Sequence, residues 1–230
     1  MRCPGEEKPV RKDWLGKPVE AEGETFPLFS LRQVHGDRVF LISDNNPQRE
    51  EIWQEEGDCL ITRKEGIALG VFTADCLPIL LYDPERRTIA VVHSGWRGTA
   101  RGILRKAVER MTSEFRCDSS RIQAALGPCI GPCCYEVDRP VKQSLEEGGF
   151  SWGSISYPRG EGKWSLDLPR ANSLLLEASG VRRENMEILK LCTSCRRDLF
   201  YSYRKGDLAR GRQLNFIALT ENPAVRGRIR

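Results

Sequence analysis

The chain has 230 residues, 40% of them hydrophobic and 30% charged, and its 36 basic and 32 acidic side chains leave a net charge of +4. That is enough apolar material for a core of its own and too weak a field to argue for nucleic acid. The longest apolar runs, such as residues 67–72, fall far short of the roughly 20 residues a membrane helix needs.

The segment Met1 to Lys8 lacks the apolar stretch of a secretory signal, so a cytoplasmic location is expected. The nine cysteines are an odd number and are expected to be reduced thiols. Along the chain, strand-like runs fall at 38–43, 67–72, 79–82, 88–92, 122–126, 186–191 and 214–220. Several are apolar on both faces, as central strands covered on both sides would be. After Gly98, the spacing of Ile103, Leu104, Ala107, Val108, Met111 and Phe115 predicts an amphipathic helix. A shorter helix is expected over 138–147. A third should start near Asp167 with Pro169 in its first turn and stop at Gly180. The Pro and Gly content between Gly148 and Gly162 predicts a long surface loop. Strands outnumber helices without alternating regularly with them, which favours a mixed α/β layered domain over a doubly wound one. Residues 196–230 hold nine Arg or Lys against three Asp or Glu. This basic end is either a solvated tail or a source of phosphate-binding arginines.

The chain has only two histidines, His35 and His93. Each lies just outside a strand-like run or at its end, and Cys76 of T-A-D-C follows the 67–72 run in the same way. Polar groups at the ends of buried strands commonly converge on one crevice. Two imidazoles and a thiolate suit zinc with one tetrahedral position left for water or substrate, and the set with the metal carries +1, which favours an anionic fourth ligand. Spacing alone does not separate this set from two satisfied histidines and a core cysteine. Asp75, beside Cys76, is either an acid–base carboxylate or a turn cap. The turn Ser94-Gly95-Trp96-Arg97-Gly98-Thr99 is either an anion cradle or a tight strand-to-helix connection. Cys192-Thr193-Ser194-Cys195 and Cys129-Ile130-Gly131-Pro132-Cys133-Cys134 have enough thiols for a structural zinc. The adjacency of Cys133 and Cys134 and their flanks favour free thiols.

Taken in order, Q-V-H-G-D-R-V (33–39), G-D-C-L-I-T (57–62), T-A-D-C-L-P-I-L-L (73–81), V-V-H-S-G-W-R-G (91–98), L-G-P-C-I-G-P-C-C-Y-E-V (126–137) and F-Y-S-Y-R-K-G-D (200–207) closely resemble the YfiH family. Its members also carry the names multicopper polyphenol oxidase, laccase-domain protein and peptidoglycan editing factor, and are described as zinc-dependent purine nucleoside phosphorylases with adenosine deaminase activity. The resemblance implies an α+β, mixed α/β layered sandwich with mixed sheets flanked by helices, as one domain over 1–230. It implies one zinc per chain on His35, Cys76 and His93. Those three with Asp75 and Arg204 would form the catalytic set, and Gln33, Arg97 and Arg204 would lie on the substrate side.

The partners it implies are phosphate and a purine nucleoside such as adenosine, inosine, guanosine or methylthioadenosine, with no nucleic acid or membrane. In deamination an activated water would attack C6 of adenine while Asp75 shuttles protons. The family's Ser-Leu-Asn-Leu-like motif and Asn-Arg pair are not found before Gln33, so residues 1–32 read as a divergent, shortened region and a raised KM for nucleoside is expected. The laccase name fails on counting, because a multicopper centre needs on the order of ten histidines. Copper at the His–Cys–His set would be adventitious. The competing expectations are a cysteine or zinc hydrolase that edits peptidoglycan precursors, with Cys76 as nucleophile, and a non-catalytic zinc-stabilised binding protein.

Overall fold

Period-two alternation along the strands decides which side chains share a core, and the computed structural model, which describes residues 17–43, 49–206 and 211–220, shows a central sheet buried on both faces. In chain order come β1 (Pro18–Ala21), β2 (Glu24–Phe29), β3 (Val39–Ile42), the single-turn α1 (Arg49–Ile52), β4 (Cys59–Thr62), β5 (Ala68–Thr73), β6 (Leu77–Asp83), β7 (Thr88–Ser94), α2 (Trp96–Ala100) and α3 (Ile103–Phe115). Then follow β8 (Gln123–Leu126), β9 (Glu136–Asp138), α4 (Arg139–Glu147), α5 (Trp152–Ile155), β10 (Ser156–Gly160), β11 (Lys163–Leu166), α6 (Leu168–Ala178), β12 (Met186–Ile188) and β13 (Gln213–Ala218).

The central sheet has the order β12-β8-β6-β7-β4-β3, with parallel pairs only at its two edges. On one face, Cys59 and Ile61 of β4, Ile79 and Leu81 of β6, and Ala90 and Val92 of β7 pack on α3 and α6. The alternate residues Leu60, Ile89 and Val91 pack against Leu69 and Val71 of β5. That strand belongs to a second, four-stranded sheet of order β1-β2-β5-β13. Burial of each such Leu, Ile or Val contributes about 1.5–3 kcal/mol. The layering, helices on mixed sheets, is the expected α+β sandwich. It also explains why β5 and β7 read as unbroken apolar runs, since every residue of both is buried.

All seven expected strands form, as do the three expected helices. The Asp167 carboxylate caps α6 by accepting from Arg170 N–H (2.9 Å), Pro169 sits in the first turn, and Gly180 beyond the end takes φ +91°. The predicted loop between Gly148 and Gly162 is corrected: it holds α5 and β10, which forms a hairpin with β11. Trp152 and Ile155 are buried in the main core, and the exposed Tyr157-Pro158-Arg159-Gly160 run hid the strand from a reading based on apolar pattern. Residues 1–16 and 221–230, which include the amino-terminal signal reading and much of the basic end, lie outside the described residues. Among the described residues no helix is long and apolar enough to cross a membrane.

Candidate metal centre

Sheet register assembles the site. Antiparallel pairing of β6 with β7 sets Leu77 opposite Ser94 and Pro78 opposite His93, so Cys76, one residue before β6, arrives beside the end of β7. On the other side of β7, Cys59 of β4 pairs with Val92, which brings Asp58 level with His93; His93 N–H donates to Asp58 C=O (2.8 Å). Because β3 runs parallel to β4 from Val39, the loop before it delivers His35 to the same end.

The ligand-capable atoms of His35, Cys76 and His93 lie within 4.8 Å of one another, and the two imidazole rings meet edge to face with centroids 4.8 Å apart. Asp58 organises both histidines. Its Oδ1 lies 2.7 Å from His93 Nδ1, which leaves Nε2 as the ring nitrogen for the site. The same carboxylate accepts the consecutive N–H groups of Val34 (3.3 Å), His35 (3.0 Å) and Gly36 (2.7 Å), an anion nest. His35 itself is held at φ +57°, a left-handed backbone that costs a non-glycine residue about 1–2 kcal/mol. Gly95 has no side chain for a steric reason: a Cβ there would come 3.0 Å from Cys76 Sγ and 3.3 Å from His35 Cδ2.

Electrostatics favour a ligating state. Burial would raise the Cys76 thiol, but the His93 charge and hydrogen bonds from both imidazoles outweigh it and bring the pKa down to about 6. Burial would lower His93, but the Cys76 thiolate and Asp58 outweigh it and raise the pKa to about 9. Asp58, fully buried, is pushed up by desolvation and down more strongly by His93 and the nest N–H groups, so it stays ionised. The metal-free centre is thus a thiolate–imidazolium–carboxylate row. A bound divalent cation would displace the imidazolium proton. The donor set therefore fits zinc: two imidazoles and a thiolate, with a carboxylate on the far nitrogen of one imidazole. His35 and Cys76 are only part-buried, so the centre opens to solvent on their side.

Asp75 sits beside Cys76 at φ +86°, with its carboxylate turned to the carboxyl-terminal segment. It accepts from Thr193 Oγ1 (2.6 Å), Ser202 Oγ (3.0 Å) and Arg204 N (2.7 Å). The exposed Arg204 guanidinium donates to Glu136 C=O (3.0 Å) and lies over the Tyr135 ring, 5.6 Å from its centroid. Tyr135 feels the charges of Cys76, Asp75, Arg97 and Arg204 together, and burial pushes its phenol well above the ordinary range. Arg97 stacks on Trp96 at 4.3 Å. Gln33, expected on the substrate side, spends both ends of its amide on Phe72: Nε2 donates to C=O (2.9 Å) and Oε1 accepts from N–H (2.8 Å). The Ser94–Thr99 turn is a tight strand-to-helix connection in which Ser94, Thr99 and Asn172 close a buried hydrogen-bond network.

Asp58 and Tyr135 were given no role from the sequence. Asp58 lies directly before the all-buried β4, but Glu55 and Glu56 stand just ahead of it, so the sequence did not single it out; Tyr135 had no signal beyond its place among cysteines. A cleft of about 470 Å³ opens at Cys129, Pro132, Pro169, Met186 and Cys192 rather than over the His–Cys–His centre.

Mixed sheets under helices with a His–Cys–His group at the strand ends define a layered α+β sandwich with a candidate metal centre. Residues 14–220 match the family described as multi-copper polyphenol oxidoreductase laccase. The chain belongs to this family, the same one as YfiH. It is 36% identical over 193 residues to a purine nucleoside phosphorylase of Bacteroides thetaiotaomicron, covering 81% of this chain and 71% of that protein. It is 37% identical over 195 residues to adenosine deaminase RL5 of an unknown prokaryotic organism, covering 83% and 74%. The crystal structure of the hypothetical protein YfiH of Bacillus licheniformis superposes with a TM-score of 0.79 at 32% identity, covering 84% of this chain and 74% of that one.

Proposed function

We propose that this chain, acting as one domain, is a zinc-dependent purine nucleoside phosphorylase with an accompanying adenosine deaminase activity. The observation that carries the reading is the convergence of His35, Cys76 and His93, backed by Asp58, beside a rim of Tyr135, Arg97 and Arg204. The names of the relatives at 36% and 37% identity support it.

His35, Cys76 and His93 would hold the zinc, which when bound would supply Lewis acidity toward an oxygen of substrate, phosphate or water. The chain's own residues do the rest. Asp58 fixes the tautomer of His93 and the backbone of His35. Arg204, anchored by Tyr135 and Glu136 C=O, holds the phosphate oxyanion that attacks C1′ of the ribose. Arg97 adds positive charge on the same rim, and Gln33 ties the His35 loop to β5. Asp75 moves a proton only by exchanging one of its three donors, and otherwise holds Arg204's backbone beside Cys76.

The test is product analysis. Adenosine with phosphate should yield adenine and ribose 1-phosphate, and adenosine without phosphate should slowly yield inosine. The lowered Cys76 thiol favours one other reading, a thiol hydrolase. Release of neither purine nor inosine, together with metal-independent hydrolysis of a muramyl-peptide precursor, would establish that reading instead.

A further inference from the structure

The purine chemistry leaves unused a second thiol group on the opposite side of Asp75. The sulfurs of Cys133, Cys134, Cys192 and Cys195 lie within 4.8 Å of one another. Cys195 Sγ is 3.6 Å from Cys133 Sγ and 3.4 Å from Cys134 Sγ. A disulfide would bring two sulfurs to about 2.05 Å, whereas all four cysteines are free. Four sulfurs arranged tetrahedrally on zinc, each about 2.3 Å from the metal, stand about 3.8 Å apart, close to the separations found.

The backbone explains how two cysteine pairs at least 58 positions apart in sequence present this set. Two tight turns face each other. In one, Cys134 N–H and Tyr135 N–H both donate to Gly131 C=O (3.0 and 2.9 Å); in the other, Cys195 N–H and Arg196 N–H both donate to Cys192 C=O (3.2 and 3.0 Å). A parallel bridge between Cys129 and Cys192 ties them, with Thr193 N–H donating to Cys129 C=O (3.0 Å). Gly131 N–H donates to Cys192 Sγ (3.2 Å), a contact that stabilises a thiolate. A Cβ on Gly131 would come 3.3 Å from both Cys133 Sγ and Cys192 Cβ, so the glycine permits the approach. The adjacency of Cys133 and Cys134 argued against a metal in the sequence. The turn at Gly131 brings both sulfurs to Cys195. A tetrathiolate zinc carries −2, and the Arg159 guanidinium lies on the carbonyls of Pro132 and Cys133 (3.2 and 3.1 Å).

We propose that Cys133, Cys134, Cys192 and Cys195 bind a second, structural zinc that clamps the 129–134 turn to the 192–195 turn. With four protein ligands the site is closed and holds no position for substrate. Its effect on the first centre runs through Asp75, whose C=O accepts Ile130 N–H (2.9 Å) from one turn and whose carboxylate accepts Thr193 Oγ1 from the other.

Elemental analysis of folded protein purified in reductant with zinc tests the proposal, which does not depend on the purine reading. Wild type should carry about two zinc per chain, and Cys133→Ser/Cys195→Ser and Cys76→Ser should each keep about one. X-ray absorption of Cys76→Ser should show a shell of sulfur alone at about 2.3 Å. A single zinc in wild type that Cys76→Ser abolishes would overturn the proposal, as would a folded double variant with wild-type zinc content. If the double variant does not fold, wild type decides alone. The exposed Cys133 and Cys195 should resist alkylation until a chelator is added, and equal alkylation rates with and without chelator would overturn the site.

Discussion

His93 Nδ1 and Asp58 Oδ1 are 2.7 Å apart, and the same carboxylate accepts the N–H groups of His35 and Gly36, so one buried anion aims both imidazoles. Asp58→Asn removes the charge while keeping the shape. It should weaken zinc binding by about 10- to 100-fold, as loss of a carboxylate behind a ligating histidine does. Chelator competition measures this, and unchanged affinity would mean that Asp58 serves the backbone alone.

Zinc affinity should rise with pH. His93 is raised from 6.5 to about 9, so its stabilisation of the metal-free fold is fully present below about pH 6.5 and lost as pH rises through about 9. Cys76 is lowered from 9.0 to about 6, so its contribution is present above about pH 9 and lost as pH falls through about 6. The metal-free pair therefore holds between about pH 6 and 9. Over that window zinc must displace the His93 proton, and affinity should climb by about tenfold per pH unit before levelling. Proton release on binding, read in weakly buffered solution, gives an independent value; none at pH 7.5 would contradict the pairing.

Gln33→Leu should act on stability. It removes two hydrogen bonds to the buried Phe72 backbone, at about 0.5–1.5 kcal/mol each. A lowered urea midpoint with a modest change in KM is expected. Unchanged stability with a raised nucleoside KM would place Gln33 on substrate instead.

Arg204→Ala should impair phosphorolysis more than deamination, because only phosphorolysis must hold a free anion. Losing a charge-assisted contact of about 1.5–3 kcal/mol corresponds to about 10- to 150-fold in kcat/KM. The Arg204 N–H to Asp75 survives the substitution, which keeps the backbone in place. Equal losses in both reactions would assign Arg204 to the nucleoside or to structure.

Trp152→Ala should cost about 3–5 kcal/mol, the penalty of deleting a buried indole. Trp152 packs edge to face on Trp164 at 5.8 Å, within the segment expected to be a loop. A loss below about 1 kcal/mol would return that segment to the surface.

The sequence was most readable where one force acts alone. Strands β5 and β7, buried on both faces, announce themselves as apolar runs, and the stripe of α3 does so by its spacing. His35, Cys76 and His93 were legible as polar groups at strand ends, and the register of β4, β6 and β7 brings them together. Asp58 was not, because its work is done on backbone N–H groups of a loop 22 to 24 residues away. Strands β9 to β11 were hidden because few of their positions are buried: Val137 in β9, Ser156 in β10, and Ser165 and Leu166 in β11. The four-thiol cluster was hidden because it depends on two turns meeting across a bridge that no local pattern specifies.

The central claim is that the His35–Cys76–His93 centre carries purine nucleoside cleavage. Its most direct measurement is adenine release from adenosine in phosphate, comparing zinc-loaded wild type with folded Cys76→Ser supplied with the same zinc. The account predicts phosphate-dependent adenine and ribose 1-phosphate from wild type and loss of nearly all of it in the variant; equal release by both proteins would contradict it.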